Sequence, residues 1–303
     1  METKNKPLTV NDGGAAFLMM MTVYVFLSFF GQTILFGITD GKIEAWTIAV
    51  SACFSALSIA AVLLYFKYGK KHGFISITSV KKCGANYYLL ALILSAGMFL
   101  GLGFINTAFS SLLEDWGLSI NAISFPLENA GHLVLFNIVF ALIPAVAEEL
   151  FFRGLTLNAV KGGKTVWAVT CVAVSFALYH CSAAQFLYQL VYGVALCVLA
   201  IYSGSVLPCV LAHFVNNAAV IFLTYFKVNV NLFSPYFIAC GLILLGLFFF
   251  ITVRGIIKKQ GEKAEKNNKN NVKTEKISSY YLPFGLFGSA ICILLLIGNL
   301  FAV

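Results

Sequence analysis

The chain has 303 residues, of which 60% are hydrophobic and only 11% are charged. A soluble globular domain carries about 25% charged residues and about 45–50% apolar ones, so the composition excludes an ordinary soluble protein. The formal net charge of +8 comes mostly from two loop segments. This placement indicates membrane topology and contact with anionic lipid headgroups, and we expect no nucleic-acid partner.

Nine apolar runs approach or exceed the roughly 17–25 residues that a membrane-spanning helix needs. They lie at Ala15–Ile38, Ala45–Phe66, Tyr87–Phe109, Leu133–Leu155, Thr165–His180, Phe186–Tyr202, Leu207–Tyr225, Pro235–Val253 and Pro283–Ala302. The predicted fold is therefore an all-α polytopic membrane helix bundle with eight core spans and a ninth, C-terminal span. The fifth and sixth runs are short and closely joined, which favours helices that are buried by their neighbours.

The loops between these runs alternate in charge. Segment 67–86 carries five lysines and no acid, segment 110–132 carries three acids and no lysine or arginine, and segment 254–281 carries eight basic residues and three acids. Because positively charged loops stay on the cytoplasmic side, this pattern predicts a multi-pass protein of the cell membrane with a cytoplasmic N-terminus. We expect segments 67–86 and 254–281 to contact anionic lipid headgroups.

Polar residues within the apolar runs concentrate in the fourth, fifth and seventh runs. They are Glu148, Glu149 and Arg153 in the fourth run, Phe176 and His180 in the fifth, and His213 and Asn217 in the seventh. Ionisable side chains at bilayer depth are costly and are usually retained for a function. These three runs therefore carry the candidate functional site.

Helical phase separates the two adjacent glutamates. Glu149 and Arg153 are four residues apart, so they lie on one face of a helix and can pair. Glu148 points roughly 100° away, which leaves it free for chemistry. Pro144 removes a backbone N–H four residues before Glu148 and should kink the helix near the site.

Two histidines, a carboxylate and an amide from three helices are a minimal set of groups for activating water. A glutamate can take up and return a proton, a histidine can orient the water or bind a metal, and Asn217 can donate to an oxyanion. These residue types suit peptide hydrolysis. Counted from the predicted helix ends, however, His180 lies about 22 Å up its helix and His213 only a few residues up. The two meet only if segment 155–164 dips into the membrane, or if the short helices are offset or tilted.

The patterns E-E-x-x-x-R, F-x-x-x-H and H-x-x-x-N, in this order and in separate apolar runs, resemble those of the CPBP (Abi) family of intramembrane proteases. This family includes the type II CAAX prenyl endopeptidases and proteins related to bacteriocin self-immunity. The resemblance covers about residues 140–220. It implies an endopeptidase whose partner is a peptide or protein substrate in the membrane, either prenylated or of bacteriocin type. It assigns the catalytic roles to Glu148, which activates water, and to His180, His213 and Asn217, and it makes Glu149, Arg153 and Phe176 supporting residues.

The resemblance leaves the cofactor open, because family members are described both as glutamate-dependent proteases and as candidate metalloproteases. The chain has no H-E-x-x-H helix, the pattern of many zinc proteases. Glu148, His180 and His213 could still form a three-ligand zinc site. We favour the glutamate mechanism, commit to no cofactor, and keep zinc as the alternative. Two functions of other classes remain: a proton-coupled transporter, and a non-proteolytic membrane scaffold or immunity protein.

The same reasoning divides the chain into four parts. Residues 1–132 form N-terminal transmembrane helices, 133–253 the CPBP-like catalytic core, 254–281 a basic cytoplasmic linker and 282–303 a C-terminal transmembrane helix. Within the linker, Lys258–Lys276 is rich in Lys, Asn and Glu, so we expect it to be disordered.

Several polar residues lie near the predicted site without belonging to a motif. Tyr179, Tyr188, Tyr192 and Gln189 lie near the predicted cavity and could contact a substrate, although anchoring at the membrane interface is the simplest explanation for the tyrosines. Asn216 should face away from its neighbour Asn217, so we assign it no role.

Overall fold

The computed structural model describes residues 7–40, 42, 44–118, 126–161, 165–269 and 282–301. Within these ranges every regular element is a helix, which confirms the all-α fold. The helices are α1 (Val10–Thr39), α2 (Ala45–Gly69), α3 (Phe74–Thr78), α4 (Ala85–Asp115), α5 (Ala130–Val160), α6 (Thr165–Tyr179), α7 (Ala183–Ser203), α8 (Leu207–Tyr225), α9 (Pro235–Lys269) and α10 (Leu282–Phe301).

Seven of the described helices are long and apolar enough to cross a membrane: α1, α2, α4, α5, α7, α8 and α9. Helix α6 has 15 residues, and the apolar part of α10 is Gly285–Leu300, so both are shorter. Each of the nine apolar runs therefore contains a helix, but the described residues supply seven helices of spanning length rather than eight or nine. The sixth run is not short, because α7 extends over 21 residues.

The disorder predicted for Lys258–Lys276 is wrong for the part that the structure describes, since α9 continues to Lys269. Lys, Glu, Gln and Ala favour helix, and Lys258 and Glu262 are four residues apart, where opposite charges attract. A contact with α7 also stabilises this part of α9, because Lys259 Nζ donates to the Tyr202 carbonyl at 2.7 Å. The rest of the predicted linker, 270–281, lies outside the described residues.

Helix α5, which carries both glutamates, contains two wide turns with π-helical hydrogen bonding. They span Asn137–Leu142 and Leu150–Thr156. The first lies directly before Pro144, which has no N–H to donate to the carbonyl of Phe140. The Asn217 side chain of α8 donates to that carbonyl instead, at 3.3 Å. The disturbance expected at Pro144 is thus a widened turn braced by a neighbouring helix, and such turns are frequent at functional sites.

The short helix α3 packs against the second wide turn. Gly154 lies so close to it that an added Cβ would be 2.8 Å from the carbonyl oxygens of both Ile77 and Thr78. No larger residue would fit here without moving α3. The contact places α3 directly against the wide turn that contains Arg153.

Ser79, just after α3, fixes the depth at which α8 begins. Its carbonyl accepts from the Val206 N–H at 3.1 Å, and its hydroxyl accepts from Asn158 at 2.6 Å. His213 lies seven residues after Val206, and Glu149 nine residues before Asn158. Both therefore lie about 10–13 Å from the level of Ser79. The contacts of Ser79 thus agree with the hydrogen bond between His213 and Glu149, and His180 and His213 line the same cavity despite the difference in depth that the sequence predicted for them.

Candidate active site

The Glu149 carboxylate holds together two helices of the site. Its Oε1 accepts from Arg153 Nη1 at 2.8 Å and from His213 Nδ1 at 2.9 Å, and both Glu149 and Arg153 side chains are fully buried. The ion pair expected from helical phase is therefore present. Because Nδ1 of His213 donates to the carboxylate, Nε2 is the ring nitrogen left for other partners.

Arg153 extends this network to α6 and α7. Its Nη2 donates to the Gly193 carbonyl at 3.3 Å, and its guanidinium lies 4.2 Å from the centre of the Phe176 ring. Phe176 in turn contacts the rings of His180 and His213 edge-on, at centroid distances of 4.8 and 5.9 Å. The buried arginine and phenylalanine thus bring the three motifs into one packed unit.

Glu148 has a different environment from its neighbour. It is also buried, but its Oε2 has no hydrogen-bond partner among the residues described, and the nearest imidazole nitrogen, His213 Nε2, is 3.9 Å away. Glu148 lines a cavity of about 590 Å³. A carboxylate oxygen with no protein partner, facing a cavity, is free to bind a water molecule or a substrate group.

His180 follows the last residue of α6 and also lines the cavity. Its Nδ1 lies 2.8 Å from the Phe176 carbonyl, an acceptor, so the proton is on Nδ1 and Nε2 is an acceptor. Cys181 then ends the helix with a left-handed φ of 47°. His180 and His213 are therefore held in the same way, each by its Nδ1.

Asn217 lines the cavity at the end of a chain of hydrogen bonds. Tyr188 OH donates to Asn216 Oδ1 at 2.6 Å, Asn216 Nδ2 donates to Asn217 Oδ1 at 3.5 Å, and Asn217 Nδ2 donates to the Phe140 carbonyl. In this series of hydrogen bonds each residue donates to the next, so the orientation of the Asn217 amide is fixed. One N–H of that amide is engaged by Phe140, and the other is available to a ligand.

Two expectations about neighbouring residues were wrong. Tyr179, Tyr188 and Tyr192 are buried rather than anchored at a membrane interface, with 7%, 5% and 1% exposure. Asn216 does not face away from the site, since it lines the same cavity as Asn217. Both predictions failed for one reason. The cavity extends along α7, and its extent depends on how the helices pack, which spacing along the sequence does not give.

Polar residues of the first spans also line the cavity, although no motif marks them. They are Tyr24 on α1, Ser51 and Ser55 on α2, and Asn106 and Thr107 on α4. Their presence as scattered polar residues within apolar runs is the only signal that the sequence offers for them. Sequence reasoning assigned nothing specific to these spans and so missed one side of the site.

The described side chains are not placed as a set of metal ligands. Among the residues described, no group of three or more His, Cys, Asp or Glu side chains is positioned to hold a metal ion. Each histidine has its Nδ1 engaged, by Glu149 in one case and by a carbonyl in the other, which is also how many metal-binding histidines are held. Because Glu148, His180 and His213 share the cavity without forming a ligand set, no step proposed below passes through a metal.

Fold and site together define a polytopic membrane helix bundle with a buried acid–histidine site beside a cavity. The family model of the type II CAAX prenyl endopeptidase Rce1-like family matches residues 130–219, a segment that contains all three motifs. This segment is therefore similar to that family of CAAX-type membrane proteases, which confirms the resemblance seen in the sequence. The match covers less than a third of the chain. Neither the curated proteins nor the solved structures gave a match.

Proposed function

We propose that this protein is an intramembrane endopeptidase in which Glu148 is the general base. The observation that supports this proposal best is the contrast between adjacent carboxylates in one helix. In both glutamates Oε2 has no partner among the residues described, but Glu149 is bonded through Oε1 to Arg153 and His213, whereas Glu148 has no charged partner closer than His213 Nε2 at 3.9 Å and lines the cavity. The substrate is a membrane-associated peptide, either prenylated or of bacteriocin type.

In the proposed reaction a water molecule binds between Glu148 and the scissile carbonyl. Glu148 removes one proton, and the water oxygen attacks the carbonyl carbon to give a tetrahedral intermediate. The other O–H of the water donates to Nε2 of His180 or His213, since both imidazoles present that nitrogen as an acceptor. Glu148 then returns its proton to the leaving amine, and the peptide bond breaks.

Asn217 stabilises the negative charge that develops on the carbonyl oxygen. Its amide is already oriented by Asn216 and by the Phe140 carbonyl, so it needs no reorganisation when the charge appears. Such preorganised donors are usually the most effective in catalysis, and losing one costs about 10²–10³ in rate.

The direct test uses purified protein and a farnesylated peptide that ends in Cys-aliphatic-aliphatic-X, together with its unprenylated twin. Wild type should cleave one bond, and Glu148→Gln should lose about 10²–10⁴ in kcat because it cannot accept a proton. Glu114→Gln, an exposed glutamate at the end of α4, is the matched control and should cleave like wild type. Cleavage by Glu148→Gln at the wild-type rate would overturn the proposal.

The same variants distinguish the other functions. A transporter predicts proton flux in proteoliposomes that Glu148→Gln abolishes, with no peptide cut. A scaffold or immunity protein predicts a phenotype in cells that survives the loss of both Glu148 and His213. A zinc protease predicts that a chelator removes the activity and that added Zn²⁺ restores it.

We further propose that the N-terminus is cytoplasmic in the cell membrane and that segments 67–86 and 254–281 contact anionic lipid headgroups. Supporting this, Lys259 Nζ donates to Tyr87 OH at 3.1 Å, which places the start of α4 and the basic part of α9 at one end of the bundle. In sealed vesicles of known orientation, a cysteine introduced at Lys70 should react with an impermeant reagent only from the cytoplasmic side. Reaction only from the opposite side would reverse the topology.

A further inference from the structure

Two side-chain amide oxygens on the cavity wall have no use in the mechanism above. Asn106 Oδ1 on α4 and Gln189 Oε1 on α7 are buried, and neither has a hydrogen-bond partner in the described part of the chain. Buried polar atoms are nearly always hydrogen-bonded, so each exception requires an explanation. Neither residue belongs to one of the three motifs.

These two oxygens differ from the other amides of the cavity. The side-chain oxygens of Asn216 and Asn217 are both acceptors within the chain that begins at Tyr188. Asn106 and Gln189 instead carry acceptors without a partner, on two helices that are different from the helix of Glu148. Both oxygens are buried in the free protein, so a molecule in the cavity bonds to them once the two side-chain amides turn toward it, while it lies beside the general base.

A ligand that satisfies these oxygens must supply neutral hydrogen-bond donors. A peptide main chain does so at every residue except proline, whereas an isoprenoid chain supplies none. Within a helical peptide only the first four N–H groups are free, because every later one is bonded to the carbonyl four residues earlier. Beyond the first turn of a helix, main-chain donors are thus available only from a peptide segment that has left the helical conformation.

We propose that Asn106 and Gln189 accept main-chain N–H groups of the substrate and so hold an unwound peptide segment beside Glu148. This inference rests on the proposed function and adds its recognition element. The enzyme would recognise the main chain of an extended segment. The two side-chain amides would determine which peptide bond lies next to Glu148. Gln189 and Asn106 are then substrate-binding residues, not catalytic ones.

The test removes the donor of each proposed hydrogen bond from the peptide and, separately, its acceptor from the protein. Main-chain N–H groups of the farnesylated peptide are replaced one at a time by N-methyl groups, leaving the scissile nitrogen unchanged. We expect two positions at which methylation lowers the kcat/KM of wild type by about tenfold. Gln189→Leu should lower kcat/KM of the unmethylated peptide to a similar extent and become insensitive to methylation at one of these positions. Asn106→Leu should do the same at the other.

Gln32→Leu is the matched control, because Gln32 is an exposed glutamine of α1 that does not line the cavity. It should keep wild-type kcat/KM and wild-type sensitivity at both positions. If a leucine variant does not fold, the methylation series on wild type still decides, since the absence of any sensitive position contradicts the inference.

The two proposals fail in different ways. Suppose that cleavage depends on Glu148, but that methylation and Gln189→Leu lower kcat/KM independently, so that their effects add. This result would overturn the binding role and leave the proposed proteolysis intact. If wild type cuts nothing, peptide binding to Glu148→Gln, measured by fluorescence anisotropy, replaces kcat/KM. The methylated peptide should then bind about tenfold more weakly than the unmethylated one, and this difference should disappear when Gln189→Leu is added. Such a result would support the binding role without proteolysis. No binding of either peptide would overturn both.

Discussion

Helix α5 presents two faces that differ more than any other neighbouring surfaces of the site. On the closed face, the Glu149 carboxylate is fully buried and bonded to Arg153 and His213. On the cavity face, Glu148 has no arginine partner, its nearest imidazole nitrogen is 3.9 Å away, and it lines the cavity. The comparison shows how a carboxylate at bilayer depth can be kept available for chemistry: the cationic partner is given to its neighbour.

His213 connects these two faces. Its Nδ1 is fixed by Glu149, and its Nε2 lies 3.9 Å from Glu148 Oε2. The closed face thereby sets the ring orientation and the tautomer with which His213 faces the cavity, as outer hydrogen bonds do for many catalytic histidines. The ion pair and the catalytic group are thus parts of one arrangement.

The largest expected effect comes from exchanging each glutamate for glutamine. Glu148→Gln should lower kcat by about 10²–10⁴ and leave the thermal unfolding temperature unchanged, because no protein group bonds to its Oε2. Glu149→Gln should lower the unfolding temperature, since Arg153 loses its counter-charge. Peptide cleavage and thermal unfolding measured on both variants check the contrast. Equal loss of stability in the two variants would contradict it.

The next effect tests the closed face alone. Arg153→Met keeps the length of the side chain but leaves the buried Glu149 carboxylate uncompensated, which should reduce the free energy of unfolding by about 3–5 kcal/mol. Arg254→Met removes an exposed arginine of α9 and should change it by less than about 0.5 kcal/mol. Denaturant unfolding in mixed micelles measures both variants. Adding Glu149→Gln to Arg153→Met should recover part of the loss, and no recovery would show that the arginine acts by packing.

Local pattern was enough to predict much of this arrangement. Apolar runs predicted nine of the ten described helices, all except the short α3, because the bilayer requires long apolar segments, and the 3.6-residue period separated Glu148 from Glu149. The three motifs identified Glu148, His180, His213 and Asn217, which all line the cavity. These features depend on spacing along the chain, which a single sequence contains.

Features that depend on packing between distant segments were not predictable in this way. The start of α8 is set by Ser79, some 130 residues before it, and Asn217 is held by a carbonyl that Pro144 leaves free on another helix. Asn106 is an ordinary polar residue until the helices assemble around the cavity, and for Gln189 the sequence predicted only a position near the site. Helix continuation to Lys269 was missed for a local reason, because charged residues that favour disorder by composition also favour helix by propensity.

The smallest expected effect compares two tyrosines of α7 that are one helical turn apart, one for each face. Tyr188 donates to Asn216 and so helps to orient Asn217 at the cavity, whereas Tyr192 lies beside His213 at a centroid distance of 6.0 Å, and its hydroxyl has no partner in the described part of the chain. Tyr188→Phe should cost about 0.5–1.5 kcal/mol of stability. It should also lower kcat several-fold while KM stays constant, because Asn217 would act only on the transition state. Tyr192→Phe removes an unsatisfied hydroxyl, so its stability should be unchanged or slightly raised and its kcat unchanged. A KM effect for Tyr188→Phe without a kcat effect would mean that the chain through Asn216 positions the substrate rather than the Asn217 amide.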